Sequence, residues 1–180
     1  GFSHWNLIDC GEGTQHQILR TSLSLANLRA IFITHIHGDH CYGLPGLLAS
    51  AGMLNRTSEL LIVGPATVRR FVEGVMEATQ LRLPYRLAFI DVEETKALQV
   101  LPDFDVQATP LSHRVPSYAY SFVEKTVENK LDVAALEQAG LPRGPHWGLI
   151  QQGRDVALPD GRVLQARDYL LAARASRKIV

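Results

Sequence analysis

Residues 34–41 read Thr-His-Ile-His-Gly-Asp-His-Cys, which puts three of the chain's seven histidines and one aspartate within residues 35–40. Imidazole nitrogen and carboxylate oxygen are the donors that Zn²⁺ accepts at about 2.0–2.2 Å, and a catalytic site leaves one position open for water. In extended backbone, side chains two residues apart share a side, so His35, His37 and Asp39 can converge. Gly38 lets the chain turn and send His40 elsewhere, so one segment can serve two neighbouring metals. Four potential ligands at this spacing have no comparable structural job. The same donors suit Mn²⁺ or Fe²⁺, so the residues by themselves leave the metal open between these and zinc. His4, His16 and His146 stand alone and read as ordinary core or surface residues.

The elements around this segment read as those of an α/β protein. Leu28–Thr34 is rich in Ile and Phe and stops at the histidines. It reads as a buried strand delivering polar residues at its C-terminal end, where α/β proteins place chemistry. Trp5–Asp9 is a second short apolar run, closed by a tight turn at Asp9-Cys10-Gly11, with Thr14 as the N-cap of a following helix. Leu44–Leu54 predicts a helix with Pro45 in its first turn, and Leu60–Val63 a strand halted by Gly64 and Pro65. Val68, Phe71, Val72, Val75, Met76 and Thr79 recur at helical spacing, so Phe71 and Met76 are core and not a cofactor box. Tyr85–Val92, Gln99–Leu101, Phe104–Thr109 and Tyr118–Glu124 read as strands. Periodicity then fades. A short helix over Asp132–Ala139 is followed by the loop chemistry of Gly140, Pro142, Gly144 and Pro145. A stretch of this kind is expected to be mobile or extended.

Bulk properties narrow the class only a little. The 180 residues suffice for one domain, and 46% hydrophobic with 20% charged residues is ordinary globular composition. Eighteen cations against eighteen acids do not advertise a polyanionic partner. The stretch from Leu141 to Val180 is locally basic, with Arg143, Arg154, Arg162, Arg167, Arg174, Arg177 and Lys178 against Asp155, Asp160 and Asp168. A solvated surface is the plain reading of such a bias. Cys10 and Cys41 lack the spacing of a thiolate metal site or a disulfide framework and are expected to be reduced. No apolar run is long enough to span a bilayer and no signal-peptide layout opens the chain, so the cytoplasm, without a membrane partner, is the default expectation. Gly1 runs almost directly into a strand without an initiating Met, and an upstream segment is expected.

His35-Ile36-His37-Gly38-Asp39-His40 resembles the signature of the metallo-β-lactamase superfamily. The flanks narrow the resemblance to the ribonuclease Z family: Asp9-Cys10-Gly11-Glu12-Gly13-Thr14-Gln15 upstream, then Thr34-His35-Ile36-His37-Gly38-Asp39-His40-Cys41-Tyr42-Gly43-Leu44-Pro45-Gly46-Leu47-Leu48. Ser112-His113-Arg114-Val115-Pro116-Ser117-Tyr118-Ala119-Tyr120 is similar to the segment where that family supplies its next metal-binding histidine. Gly140-Leu141-Pro142-Arg143-Gly144-Pro145 resembles the Gly-Pro loop of the family's protruding arm.

The resemblance implies an αββα sandwich of two sheets between helices with metals at one edge, incomplete in this chain. It also implies a single partial domain over 1–180 with an arm over 125–168 acting as a tRNA exosite. The implied activity is zinc-dependent hydrolysis of the phosphodiester at the 3′ end of precursor tRNA, with two Zn²⁺ per full-length subunit and Mn²⁺ as an alternative. His35, His37 and His113 would bind one metal, and Asp39 and His40 the other. Asp39 would also take the proton of the attacking water, and Asp9 would brace the histidine loop. Arg143, Gly144 and Pro145 would touch the tRNA, in a homodimer where one subunit's arm holds the tRNA cut by the other.

Departures from the family pattern are part of the reading. The family's strand and glycine-rich turn ahead of the Trp5 region are not matched, nor are its Gly-Asp-Thr segment with the bridging Asp, its His-Glu-Ala-Thr segment and its last metal-binding His. Arg177–Val180 resembles the strand that leads into Gly-Asp-Thr. The chain therefore reads as a piece of an enzyme, inactive alone and binding at most one metal firmly. Ala119, Gln151 and Gln152 are smaller departures. Rival readings are a glyoxalase II or lactonase of the same superfamily, against which the flanks and arm argue, and a non-catalytic metal-binding fragment.

Overall fold

The apolar run before Asp9 forms strand β1, Trp5–Ile8, and the chain then enters helix α1, Thr14–Ile18. A 3₁₀ turn at Leu25–Asn27 leads into β2, Leu28–Phe32, which buries four of its five residues as a central strand must. After the histidines come the one-turn helix α2, Gly38–Cys41, and helix α3, Leu44–Met53, then β3, Leu60–Gly64, the amphipathic α4, Ala66–Thr79, and β4, Leu87–Asp91. The four strands pair in the order β1-β2-β3-β4, all parallel. Parallel neighbours need crossovers, and α3 and α4 supply two of them. Next come β5, Ala97–Leu98, β6, Phe104–Leu111, and β7, Ser117–Glu124, with β6 between the other two and antiparallel to β5.

The computed structural model of the chain describes residues 4–94, 97–125, 129–171 and 175–180, and it divides into two compact units. The first comprises Gly1–Leu101, Val106–Phe122 and Val180. Leu28, Ile31, Ile33, Leu44, Leu47, Leu48, Leu60, Ile62, Val68 and Val72 form its core, with Phe71 and Met76 of α4 packed against it. Phe32 of β2 meets Tyr120 and Phe122 of β7 edge-on at 5.3 and 5.0 Å, which brings the two sheets face to face. Two hydrogen bonds fix the strand ends that lead into the histidine segment. The Tyr120 hydroxyl donates to the Ile33 carbonyl at 2.8 Å, and the Tyr118 N–H donates to the Thr34 carbonyl at 3.0 Å.

The second unit comprises Pro102–Asp105 and Val123–Ile179. It holds β8, Lys130–Leu131, α5, Val133–Gln138, α6, Pro145–Gln151, β9, Val156–Ala157, β10, Val163–Leu164, β11, Leu170–Leu171, and β12, Lys178–Ile179. β8 pairs with β11 and β9 with β10, both antiparallel. Asp132 caps α5 by accepting from the Ala135 N–H at 3.0 Å.

Four local expectations are corrected. The stretch after Glu124 is not extended: Leu136, Leu141, Ile150, Val156, Leu164 and Ala166 close a small core of their own. Its apolar residues come from pieces too short to show a period, which is why the sequence reads as loop. Pro145 opens helix α6 instead of continuing a loop, at a first-turn position where its missing N–H costs nothing. The strand expected at Gln99–Leu101 forms at Ala97–Leu98, since the following residues are used in the connection to β6. Thr14 is the first residue of α1 and not its cap, and its hydroxyl donates to the Gly11 carbonyl at 2.7 Å. Residues 126–128 of the expected arm, and Arg174 of the basic stretch, lie outside the described residues. No helix among the described residues is long and apolar enough to cross a membrane.

Candidate metal centre

β1 and β2 end side by side, with Ile8 opposite Phe32, so the residues that follow them emerge together. Asp9 comes next, at φ 56°, in the left-handed region, with its N–H donated to the Phe32 carbonyl at 2.8 Å. A non-glycine residue holds that conformation only when its surroundings over-determine it. Here they do. The Asp9 carboxylate accepts the Thr34 N–H at 2.8 Å and the Thr34 hydroxyl at 3.0 Å, and lies 2.6 Å from His40 Nδ1. The Cys10 N–H donates to the His40 carbonyl at 2.7 Å. Gly11 is forced by the same approach, because a Cβ there would lie 2.2 Å from the Asp39 carbonyl oxygen.

Thus clamped at both ends, the segment presents His35 and His37, and His113 joins them from just after β6. One ligating nitrogen of each lies within 4.8 Å of the others. His113 Nε2 is 3.2 Å from His37 Nδ1, and the His35 ring stands 4.8 and 5.0 Å from the rings of His37 and His113. His35 and His37 are partly buried and His113 is exposed. No carboxylate joins this trio among the described residues.

The expected convergence of Asp39 with His35 and His37 does not occur. The backbone is extended at His37 and winds into α2 directly after it, which carries Asp39 outward. Its carboxylate is 81% exposed and sits 3.4 Å from His40 Nε2. Gly38 makes no special turn: it is the first residue of α2, and a Cβ there would meet the Tyr42 ring at 2.2 Å. The His40 ring packs 4.0 Å from that of His35, so the Asp39–His40 pair lies beside the trio.

Burial, followed by the neighbouring His40, His37 and His113 imidazoles, holds His35 below the ordinary histidine value. A neutral imidazole is the form that ligates a metal. Three imidazoles converging without a carboxylate among them are a donor set that fits a zinc-like cation. A cleft of about 490 Å³ lies over the site, lined among others by Asp9, His35, His40, His113 and Tyr118.

Arg143, Gly144 and Pro145 lie in the second unit, all exposed. The Arg143 guanidinium sits 5.4 Å from the centre of the Trp147 ring, whose Nε1–H donates to the Leu141 carbonyl at 3.1 Å. Gly144 is in extended backbone, which any residue adopts. Thr34 is the site residue that sequence reasoning passed over. It stands first in the motif, but nothing in the spacing of the histidines marks a hydroxyl as important.

Residues 4–132 match the family model described as Anti-Pycsar protein Apyc1. A ribonuclease Z of Pseudomonas putida is 50% identical over 178 residues, which cover 99% of this chain and 55% of that protein. The chain spans about half the length of the curated relatives it matches. Among solved structures, human tRNase Z, short form (ELAC1), is 34% identical with a TM-score of 0.60, covering 71% of this chain and 57% of that one. The metallo-beta-lactamase fold protein YhfI from Bacillus subtilis, at 19% identity and a TM-score of 0.51, shares the fold alone, over 67% of this chain and 46% of that one. The chain therefore has the metallo-β-lactamase fold, belongs to the family described by the Apyc1 model, and stands among relatives named ribonuclease Z.

Proposed function

We propose that this chain carries the histidine-rich part of a zinc-dependent endoribonuclease that hydrolyses the phosphodiester at the 3′ end of precursor tRNA. The observation that carries the reading is the His35, His37 and His113 trio within 4.8 Å, in a chain half identical to proteins named ribonuclease Z. In this reading the trio holds one zinc, Asp39 and His40 contribute to a second, and Mn²⁺ is the alternative ion. Bound metal supplies Lewis acidity, which lowers the pKa of water and draws charge from a phosphoryl oxygen. The chain's own residues do the rest. Asp9 and Thr34 keep the imidazoles oriented, and Asp39, exposed beside the cleft, takes the proton of the attacking water.

Within the second unit, the stretch 125–168 with Arg143, Gly144 and Pro145 is the arm that holds tRNA in this reading. Backbone N–H groups beside glycine and proline approach phosphates closely, and Arg143 and Arg154 add charge. Contacts of that kind position RNA without reading its sequence. We further infer a homodimer in which one subunit's arm holds the tRNA cut by the other, working in the cytoplasm.

The test uses a protein carrying this chain at the full length of its curated relatives and a precursor tRNA with a 3′ trailer. Trailer release that a chelator stops and Zn²⁺ or Mn²⁺ restores is the expected result. Intact precursor with metal present, alongside hydrolysis of a thioester or lactone, would move the reading to another hydrolase of the fold.

A further inference from the structure

The Thr34 hydroxyl oxygen lies at a junction. It is 3.1 and 3.0 Å from the two Asp9 carboxylate oxygens, 2.9 Å from His35 Nδ1 and 3.3 Å from His40 Nδ1. A hydroxyl has one proton to give and two lone pairs to receive with, and an ionised carboxylate can only accept. Asp9 already accepts the Thr34 N–H at 2.8 Å and faces His40 Nδ1 at 2.6 Å. The single Thr34 proton therefore goes to Asp9. Toward His35 the Thr34 oxygen is then an acceptor, and His35 Nδ1 has to carry a hydrogen. A neutral imidazole protonated at Nδ1 has its free lone pair at Nε2.

We propose that Thr34 is a positioning residue that locks His35 in the Nδ1–H tautomer and so presents Nε2 to the cluster with His37 and His113. The arrangement is a relay, with Asp9 accepting from Thr34 and Thr34 accepting from His35. His40 reaches the same tautomer directly through Asp9. His37 is held differently: its Nδ1 faces His113 Nε2 at 3.2 Å, so it offers the opposite ring nitrogen. Two imidazoles two residues apart thus point different nitrogens at one place, and Thr34 is what distinguishes them. An imidazole already in the ligating tautomer need not move its proton or turn its ring when a cation arrives, and partners of this kind are worth about tenfold to a hundredfold in metal affinity.

The purpose of the lock rests on the metal reading, but its existence does not. The test is a long-range ¹H–¹⁵N correlation spectrum of the metal-free chain, which reports the tautomer of each imidazole, for wild type, Thr34→Ser and Thr34→Val, with His35→Gln assigning the His35 signals. Wild type and Thr34→Ser should show His35 with Nδ1–H, and Thr34→Val should shift it toward Nε2–H. Zn²⁺ titrated against a chromophoric chelator should bind Thr34→Val roughly tenfold to a hundredfold more weakly, and Thr34→Ser close to wild type. An Nε2–H signal for His35 in wild type, or an unchanged tautomer in Thr34→Val, overturns the proposal. If Thr34→Val fails to fold, the wild-type and Thr34→Ser spectra still decide it. An Nδ1–H signal in a chain that takes up no zinc would uphold the lock and sink the metal reading instead.

Discussion

Asp9 Oδ2 and His40 Nδ1 lie 2.6 Å apart although they stand thirty-one positions apart in the chain, and this contact closes the histidine segment into a loop. Charge-assisted hydrogen bonds are among the stronger polar contacts, about 1.5–3 kcal/mol each. Asp9→Ala would leave the Thr34 N–H, the Thr34 hydroxyl and His40 Nδ1 without their shared acceptor. It should lower the unfolding free energy by roughly 2 kcal/mol or more, read from a shift of the urea midpoint. A shift within the noise of a surface substitution would show that the loop is held by other means.

Arg56 is a second hidden support, 2% exposed in the core of the first unit. Its guanidinium donates to the carbonyls of Leu25, Ala26, Ser58 and Glu59 and sits 5.4 Å from the centre of the Tyr85 ring. Arg56→Ala should cost at least about 3 kcal/mol, because it opens a cavity and orphans several carbonyls together. Arg56→Lys should recover only part of this, since an ammonium lacks the planar fork. Equal stability of Arg56→Ala and wild type in urea unfolding would contradict this role.

Tyr85 donates its hydroxyl to the Leu48 carbonyl at 2.8 Å, and burial pushes its pKa from 10.0 to about 12, with Arg56 opposing the rise. The folded chain therefore keeps a phenol proton that the unfolded chain releases. That contribution is complete below pH 10 and is lost as pH rises through about 12. Urea midpoints measured from neutral to strongly alkaline pH should fall above pH 10, and Tyr85→Phe should flatten part of that fall. Parallel profiles for the two proteins would show that Tyr85 does not titrate differently on folding.

The second unit has its own core, so the proposed role of its loop in holding tRNA can be tested apart from the chemistry. In a protein of the relatives' full length, replacing Lys125–Asp168 by a short Gly-Ser linker should cripple cleavage of precursor tRNA. Hydrolysis of a small phosphodiester, which needs only the metal residues, should survive. Equal loss of both activities would mean that the segment supports the fold and does not serve as an exosite.

Long patterns carried the reading, and short or distant ones defeated it. The strands β1–β4 and the helices α3 and α4 are legible because their apolar runs and stripes are long enough to show a period. The approach of His35 to His37 is legible because the two stand two residues apart in one short motif. The outward course of Asp39 does not, because four residues of α2 are too few to reveal a helical repeat. Arg56 stands in Asn55-Arg56-Thr57-Ser58, which looks like a surface turn; its burial depends on carbonyls near Leu25, about thirty residues away. The core of the second unit escaped notice for a related reason, since Leu136, Ile150 and Leu164 each belong to a different short element.

The central claim is that three imidazoles from two parts of the chain form one metal site, and zinc binding by this chain with and without His113 tests it most directly. Titration against a chromophoric chelator should show one firmly held Zn²⁺ per chain. In His113→Ala the affinity should fall by more than the tenfold to hundredfold that loss of a supporting partner costs. Zinc bound equally well by wild type and His113→Ala would contradict the account, since His113 would then take no part in holding the ion.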